Sequence, residues 1–130
     1  MPKPWYRAGV KRLLVDMHIP DWDEKFLRDF SAERYADCMV AAGVDTVEIY
    51  AGSCLGLCNW PTRKGYGHRN AAPRDLLGAT VAACRERGLT VVIYLNVWSR
   101  KAYDEHPEWR MIHADGKGSV EHDPGRFGLC

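Results

Sequence analysis

Apolar and polar residues alternate in three short stretches of this chain, which cover residues 13–18, 45–51 and 89–98. Side chains alternate between the two faces of a strand, so one face of each stretch is apolar. Near the end of each stretch the other face becomes polar or aromatic. Because ligands bind at the carboxyl ends of parallel strands, this pattern predicts a ligand-binding rim. The residues on that face are Asp16, His18, Glu48, Tyr50, Tyr94, Asn96 and Trp98.

Helical spacing fills the segments between the three predicted strands. Ser31 is a suitable N-cap for a first helix, and Gly43 is a suitable left-handed stop. Pro73 suits the first turn of a second helix, which Gly88 ends. The predicted buried stripes are Tyr35, Cys38, Met39 and Ala42 in the first helix, and Leu76, Leu77, Val81 and Cys84 in the second.

The resulting order, β-α-β-α-β, predicts an α/β fold with parallel strands. A complete (β/α)₈ TIM barrel needs about 250 residues, so residues 1–130 would supply its first three β/α units. We therefore expect a single incomplete domain, with the remainder of the barrel following Cys130. An open doubly wound sheet is the alternative, although no G-x-G-x-x-G motif follows the first strand.

Charge and cysteine content exclude several classes of partner. A formal net charge of +1 gives no basic surface for nucleic acid or for an anionic membrane. No apolar run approaches the roughly 18 residues that span a bilayer. The five cysteines are an odd number, which favours free thiols in a reducing cytosol over a disulfide framework. Cys38 and Cys84 are predicted to be buried thiols, and a homo-oligomer of the full-length protein is compatible with these features.

Several short motifs together carry a resemblance to a known family. A Gly-then-WPT loop (Gly56, Trp60–Thr62) is followed by RDLLG at 74–78, RERGL at 85–89 and HPEW at 106–109. In this order and spacing the chain resembles the retaining α-L-fucosidases of glycoside hydrolase family 29. It is closer still to the fucosidase-like hypothetical glycosyl hydrolase barrels that are placed beside them.

The resemblance implies roles for particular residues. His18 matches a sugar-binding histidine at the end of the first strand, and Trp60 matches an aromatic at the edge of the sugar pocket. The family has paired histidines where this chain has Ser53 and Cys54, which puts fucose specificity in question. The family's nucleophilic aspartate follows the fourth strand and its acid/base comes later, so the catalytic carboxylates are expected beyond residue 130.

A sugar site needs groups that bind hydroxyls and an aromatic face for the apolar side of the ring. The predicted substrate-binding set is therefore His18, Glu48, Tyr50, Trp60, Asn96 and Trp98. Alternatively, Glu48 pairs with an arginine across the barrel, and Tyr50 and Trp98 belong to the core. The predicted function is a carbohydrate-acting, α-L-fucosidase-like glycoside hydrolase. A non-catalytic carbohydrate-binding fragment is the second possibility and a metal-dependent barrel hydrolase the third.

The remaining clusters support no cofactor. Asp16, His18 and Glu48 could form part of a metal site, but the sequence contains no later ligand cluster, so we predict neither metal nor cofactor. Cys54 and Cys58 lack the third cysteine of an iron–sulfur motif.

The second loop is basic, and it is either solvated or binds an acidic sugar or phosphate. At the start of the second helix, Arg74 and Asp75 are expected to form a salt bridge. The basic residues are Arg63, Lys64, His68, Arg69 and Arg74.

Overall fold

The sheet is built around one central strand, β2 (Thr46–Gly52). The computed structural model describes residues 4–129. Strands β1 (Arg12–Leu14) and β5 (Thr90–Leu95) flank β2, and both run parallel to it. Two short strands, β3 (Leu57–Cys58) and β4 (Tyr66–Gly67), extend the sheet from the end of β2. The predicted α/β fold with parallel strands is confirmed.

Helices occupy the connections and the carboxyl-terminal segment. None of the helices within residues 4–129 is long and apolar enough to cross a bilayer. The α-helices are α1 (Trp5–Ala8), α2 (Ala32–Ala41), α3 (Leu76–Glu86), α4 (Arg100–Glu105) and α5 (Ser119–His122), and 3₁₀ turns cover Ala72–Arg74 and Pro107–Trp109.

Helix α2 begins and ends as its sequence predicts. The Ser31 hydroxyl accepts a hydrogen bond from the backbone N–H of Arg34 at 3.2 Å, and Gly43 has a φ of +67° after the last turn. The predicted burial of Cys38 is wrong, because its side chain is exposed. The helix packs through Ala36 and Met39, which rotates the Cys38 position toward solvent at about 100° per residue.

Helix α3 begins later than its proline suggests. Pro73 lies in the preceding 3₁₀ turn, and Asp75 is the N-cap. Asp75 has a φ of +45°, and its carboxylate accepts a hydrogen bond from the backbone N–H of Gly78 at 3.1 Å. Gly88, with a φ of +75°, follows the end of the helix as predicted.

The hydrophobic core lies between the two long helices and one face of β2. Its residues are small on the helix side, which lets α2 and α3 approach both the sheet and each other. Cys84 is fully buried there, as predicted. The buried core residues are Ala32, Ala36, Met39, Val47, Ile49, Ala83, Cys84 and Leu89.

The outer strands are shorter than predicted, and β5 is not covered on its helix-facing side. β1 ends at Leu14 instead of His18, and β5 ends at Leu95 instead of Trp98. Ile93 and Leu95 were expected on an apolar, packed face, yet both are exposed. No helix within residues 4–129 packs over this part of β5, and its pairing with β2 shifts register after Tyr50.

The long second loop is held in place by two residues from its basic set. His68 is fully buried, and its Nε2 lies 3.0 Å from the carbonyl oxygen of Pro20. Arg74 donates to the carbonyl of Leu27 at 2.6 Å and not to Asp75, so the expected Arg74–Asp75 salt bridge is wrong. Both residues therefore anchor the loop to the segment that follows β1. The other basic residues, Arg63, Lys64 and Arg69, are exposed.

Candidate functional site

The sheet face opposite the core carries the polar and aromatic residues of the strands. Val47 and Ile49 point into the core, so Glu48 and Tyr50 project from the other side of β2. Tyr50 lies directly opposite Tyr94 in the parallel register, and their ring centroids are 4.5 Å apart. The alternation that predicts this face is therefore present in the structure.

His18 is held at the edge of this face by a backbone hydrogen bond. Its Nδ1 accepts from the backbone N–H of Cys54 at 3.1 Å. Its Nε2 lies 3.4 Å from Asp16 Oδ1 and 3.5 Å from the Tyr50 hydroxyl. Because Nδ1 is an acceptor, a neutral His18 carries its proton on Nε2. The side chain therefore presents an N–H donor to the site.

The Tyr50 phenol and the Cys54 thiol both favour their neutral forms. Burial raises the pKa of Tyr50, and the hydrogen bond and negative charge of Asp16 raise it further. Burial also raises the pKa of the Cys54 thiol, and the charge of Asp16 adds to that effect. A thiolate is the nucleophilic form of cysteine, so this environment suits hydrogen bonding better than covalent catalysis by Cys54.

A cavity of about 410 Å³ opens at the ends of the strands. His18 and Cys54 line one part of it, and Tyr94, Asn96 and Trp98 line another. The Asn96 side-chain oxygen accepts from the backbone N–H of Trp98 at 2.8 Å, which fixes the turn after β5. We call this space the first cavity. It combines hydrogen-bonding groups with aromatic rings.

The predicted binding residues fall into three groups. His18, Asn96 and Trp98 line the first cavity, and Tyr50 contacts His18 and Tyr94 behind it. Glu48 lies two residues before Tyr50 on the same face, and no ion pair within residues 4–129 includes it. Trp60 is half-buried in the second loop and is not among the residues that line the first cavity.

Two residues of the first cavity are missing from the predicted set. Tyr94 shares its face with Asn96, so strand alternation could have identified it. Cys54 contributes its backbone N–H to His18, and side-chain chemistry gives no indication of such a role.

No group of three or more His, Cys, Asp or Glu side chains in the part of the chain that the structure describes could hold a metal ion. Asp16 and His18 are adjacent, but a third such ligand does not join them there. Four cysteines, Cys38, Cys54, Cys58 and Cys84, are free thiols, and Cys130 lies outside the described residues. The cytosolic location inferred from the thiols stays a prediction.

Residues 31–128 match the model of a protein family described as hypothetical glycosyl hydrolase 6. The chain belongs to this family. The family resemblance that the sequence motifs indicate is thereby confirmed. No curated protein matches the chain.

Solved structures with a similar fold are α-L-fucosidases. Isoenzyme 2 from Paenibacillus thiaminolyticus matches 92% of this chain with a TM-score of 0.82 and 24% identity, which shows a shared fold. A family 29 α-L-fucosidase from Bacteroides thetaiotaomicron matches 75% of the chain with a TM-score of 0.54 and 25% identity. The matches cover 19% and 22% of those two proteins, so this family member spans about a fifth of their length.

Proposed function

We propose that these residues form the first three units of a (β/α)₈ barrel glycoside hydrolase of the α-L-fucosidase type. The arrangement of strands and helices supports the barrel: β1, β2 and β5 are parallel neighbours, and α2 and α3 both cover the same face of β2. The first cavity lies at the carboxyl ends of these strands, where barrel enzymes bind their substrates. The carrying observation is that His18, Asn96 and Trp98 meet at one cavity.

The chemistry of the first cavity suits a sugar. The Nε2–H of His18 can donate to a hydroxyl, and the amide NH₂ of Asn96 can donate to another. Trp98 and Tyr94 offer aromatic surface for the C–H face of the ring. Burial keeps a sugar hydroxyl from water, so each of these donors contributes to selecting a polyhydroxylated ligand.

In this proposal the described residues bind and orient the sugar, while the reaction is double displacement by two carboxylates. We place both carboxylates outside residues 1–130, following the family pattern. Cys54 stands near the position of the family's paired histidines, and its backbone N–H holds His18. The proposed site therefore contacts the sugar with fewer imidazoles than the family pattern has.

L-Fucose is the first ligand to test, because the matched solved structures are α-L-fucosidases. In the full chain, we expect L-fucose binding by calorimetry, and we expect His18→Ala to weaken it about tenfold or more through loss of one buried donor. His113→Ala is the matched control, since His113 is exposed and does not line the first cavity.

Trp60→Ala tests whether the second loop contributes to the same site. Weaker L-fucose binding with an unchanged melting temperature would support a role for Trp60 at the pocket edge. Absence of L-fucose binding by the unaltered chain would contradict the proposed function. Binding by a full-length protein that never hydrolyses an α-L-fucoside would favour a non-catalytic carbohydrate-binding protein.

A further inference from the structure

A second cavity of about 280 Å³ lies beside the first one, between the second loop and the segment that follows β5. Ser53, Lys64 and Tyr66 line it from the loop, and Asn96, His106 and Trp109 line it from the other side. Its volume lies near the lower end of small-molecule sites, which begin at roughly 300 Å³. It therefore suits one ring-sized group.

Ser53 gives this second cavity an unsatisfied polar group. The residue is only 4% exposed, yet its hydroxyl oxygen has no hydrogen-bond partner among the residues that the structure describes. Burying a hydroxyl without a partner costs free energy, so native proteins rarely leave one unpaired. A hydroxyl-bearing ligand in the cavity would supply the partner that Ser53 lacks.

Trp109 supplies aromatic surface to the same cavity. Its ring stacks on the ring of His106, with centroids 3.7 Å apart and planes 12° apart. His106 is itself held by Glu108, whose carboxylate lies 3.1 Å from the imidazole Nδ1. Trp109 remains 47% exposed. An indole that is fixed in orientation and open to solvent is suited to packing against a sugar ring.

The walls of the second cavity are fixed relative to one another. The backbone N–H of Arg100 donates to the carbonyl of Cys54 at 2.9 Å, which joins the start of α4 to the loop. Gly56 has a φ of +83°, and a side chain there would collide with Ser99. Only glycine lets the loop approach α4 so closely, which keeps the cavity at its present width.

Asn96 and Leu95 line both cavities, so the two spaces are neighbours on the same rim. The Asn96 amide NH₂ donates to no other residue within the described range 4–129. We propose that the second cavity binds a further sugar unit of an oligosaccharide whose terminal unit occupies the first cavity. The inference rests on the proposed function, since it assumes that the first cavity binds a sugar.

Two ligands separate the contributions of the two cavities: L-fucose, and the disaccharide α-L-fucosyl-(1→2)-galactose. In the full chain, we expect calorimetry to show about tenfold tighter binding of the disaccharide. Ser53→Ala should reduce disaccharide affinity about fivefold, and Trp109→Ala about tenfold. Both variants should bind L-fucose as tightly as the unaltered chain.

Matched controls separate ligand binding from folding. Ser119 is also buried with an unpartnered hydroxyl, but it does not line either cavity, so Ser119→Ala should leave both affinities unchanged. Trp22→Ala removes another exposed indole away from both cavities. Ser53→Ala breaks no hydrogen bond of the ligand-free protein, so its melting temperature should not fall even though disaccharide binding weakens.

The outcomes distinguish this inference from the proposed function. Binding of L-fucose, with no extra affinity for the disaccharide or no effect of Ser53→Ala and Trp109→Ala, would overturn the second sugar site alone. If neither L-fucose nor the disaccharide binds, the proposed function is wrong and the second site falls with it. Should Trp109→Ala fail to fold, the result for Ser53→Ala decides the question.

Discussion

The two faces of β2 differ in composition and in packing. On one face, Val47 and Ile49 are buried against small residues of α2 and α3. On the other, Glu48 and Tyr50 belong to a polar and aromatic surface that borders an open cavity. Alternation along a single strand thus separates the residues that stabilise the fold from those available to a ligand. Variants on the two faces should accordingly affect different measurements.

The largest effect is expected from the helix-facing side. Ile49→Ala should lower the free energy of unfolding by about 2–5 kcal/mol, because it leaves a cavity in a packed core. Urea denaturation measures the change. Ile93→Ala on β5 is the matched control, since Ile93 is 47% exposed and should cost far less. Equal losses for both variants would contradict the location of the core.

The start of α3 should show the next largest effect. Asp75→Ala removes the N-cap hydrogen bond to Gly78 and places alanine at a positive φ, so a loss of roughly 0.5–2 kcal/mol is expected. Asp75→Asn keeps a capping oxygen and tolerates the same backbone, so most of the stability should remain. If both variants lose the same amount, the capping role is wrong.

On the cavity-facing side, Tyr50→Phe should change binding more than stability. The Tyr50 hydroxyl lies 3.5 Å from His18, too far for a strong hydrogen bond, and the ring can still pack on Tyr94. We expect a loss of stability below about 1 kcal/mol, with several-fold weaker L-fucose binding. A loss as large as that of Ile49→Ala would make Tyr50 a core residue and would remove the contrast between the two faces.

The smallest effect at neutral pH is expected for Tyr35→Phe. Burial, with a further contribution from the charge of Cys84, raises the pKa of Tyr35 from 10.0 to about 12. The unfolded chain therefore loses this proton first, and stability should fall as pH rises from 10 through 12.

Phenylalanine has no such proton, so the decline in denaturation midpoint above pH 10 should be shallower for Tyr35→Phe than for the unaltered chain. Parallel pH profiles would contradict the assigned burial of this phenol. Tyr35 packs against the core beside α2, so this experiment probes the helix side of the molecule without removing apolar volume.

Local sequence accounts for the elements and for the polarity of each strand face. The strand order, the Ser31 cap and the stops at Gly43 and Gly88 depend on neighbours within a few residues, and the structure contains all of them. His18 and Asn96 lie at a common cavity because both follow parallel strands. The family motifs likewise lie within short segments, and the family match bears them out.

Contacts between distant segments decided the rest. The burial of His68 depends on the carbonyl of Pro20, and the orientation of Arg74 depends on the carbonyl of Leu27. The tautomer of His18 is set by a backbone N–H of Cys54, which is 36 residues away. The exposure of Cys38 follows from the rotation of α2 against the sheet. A backbone group or a helix rotation has no side-chain chemistry of its own, so only the tertiary structure determines which side chain it meets.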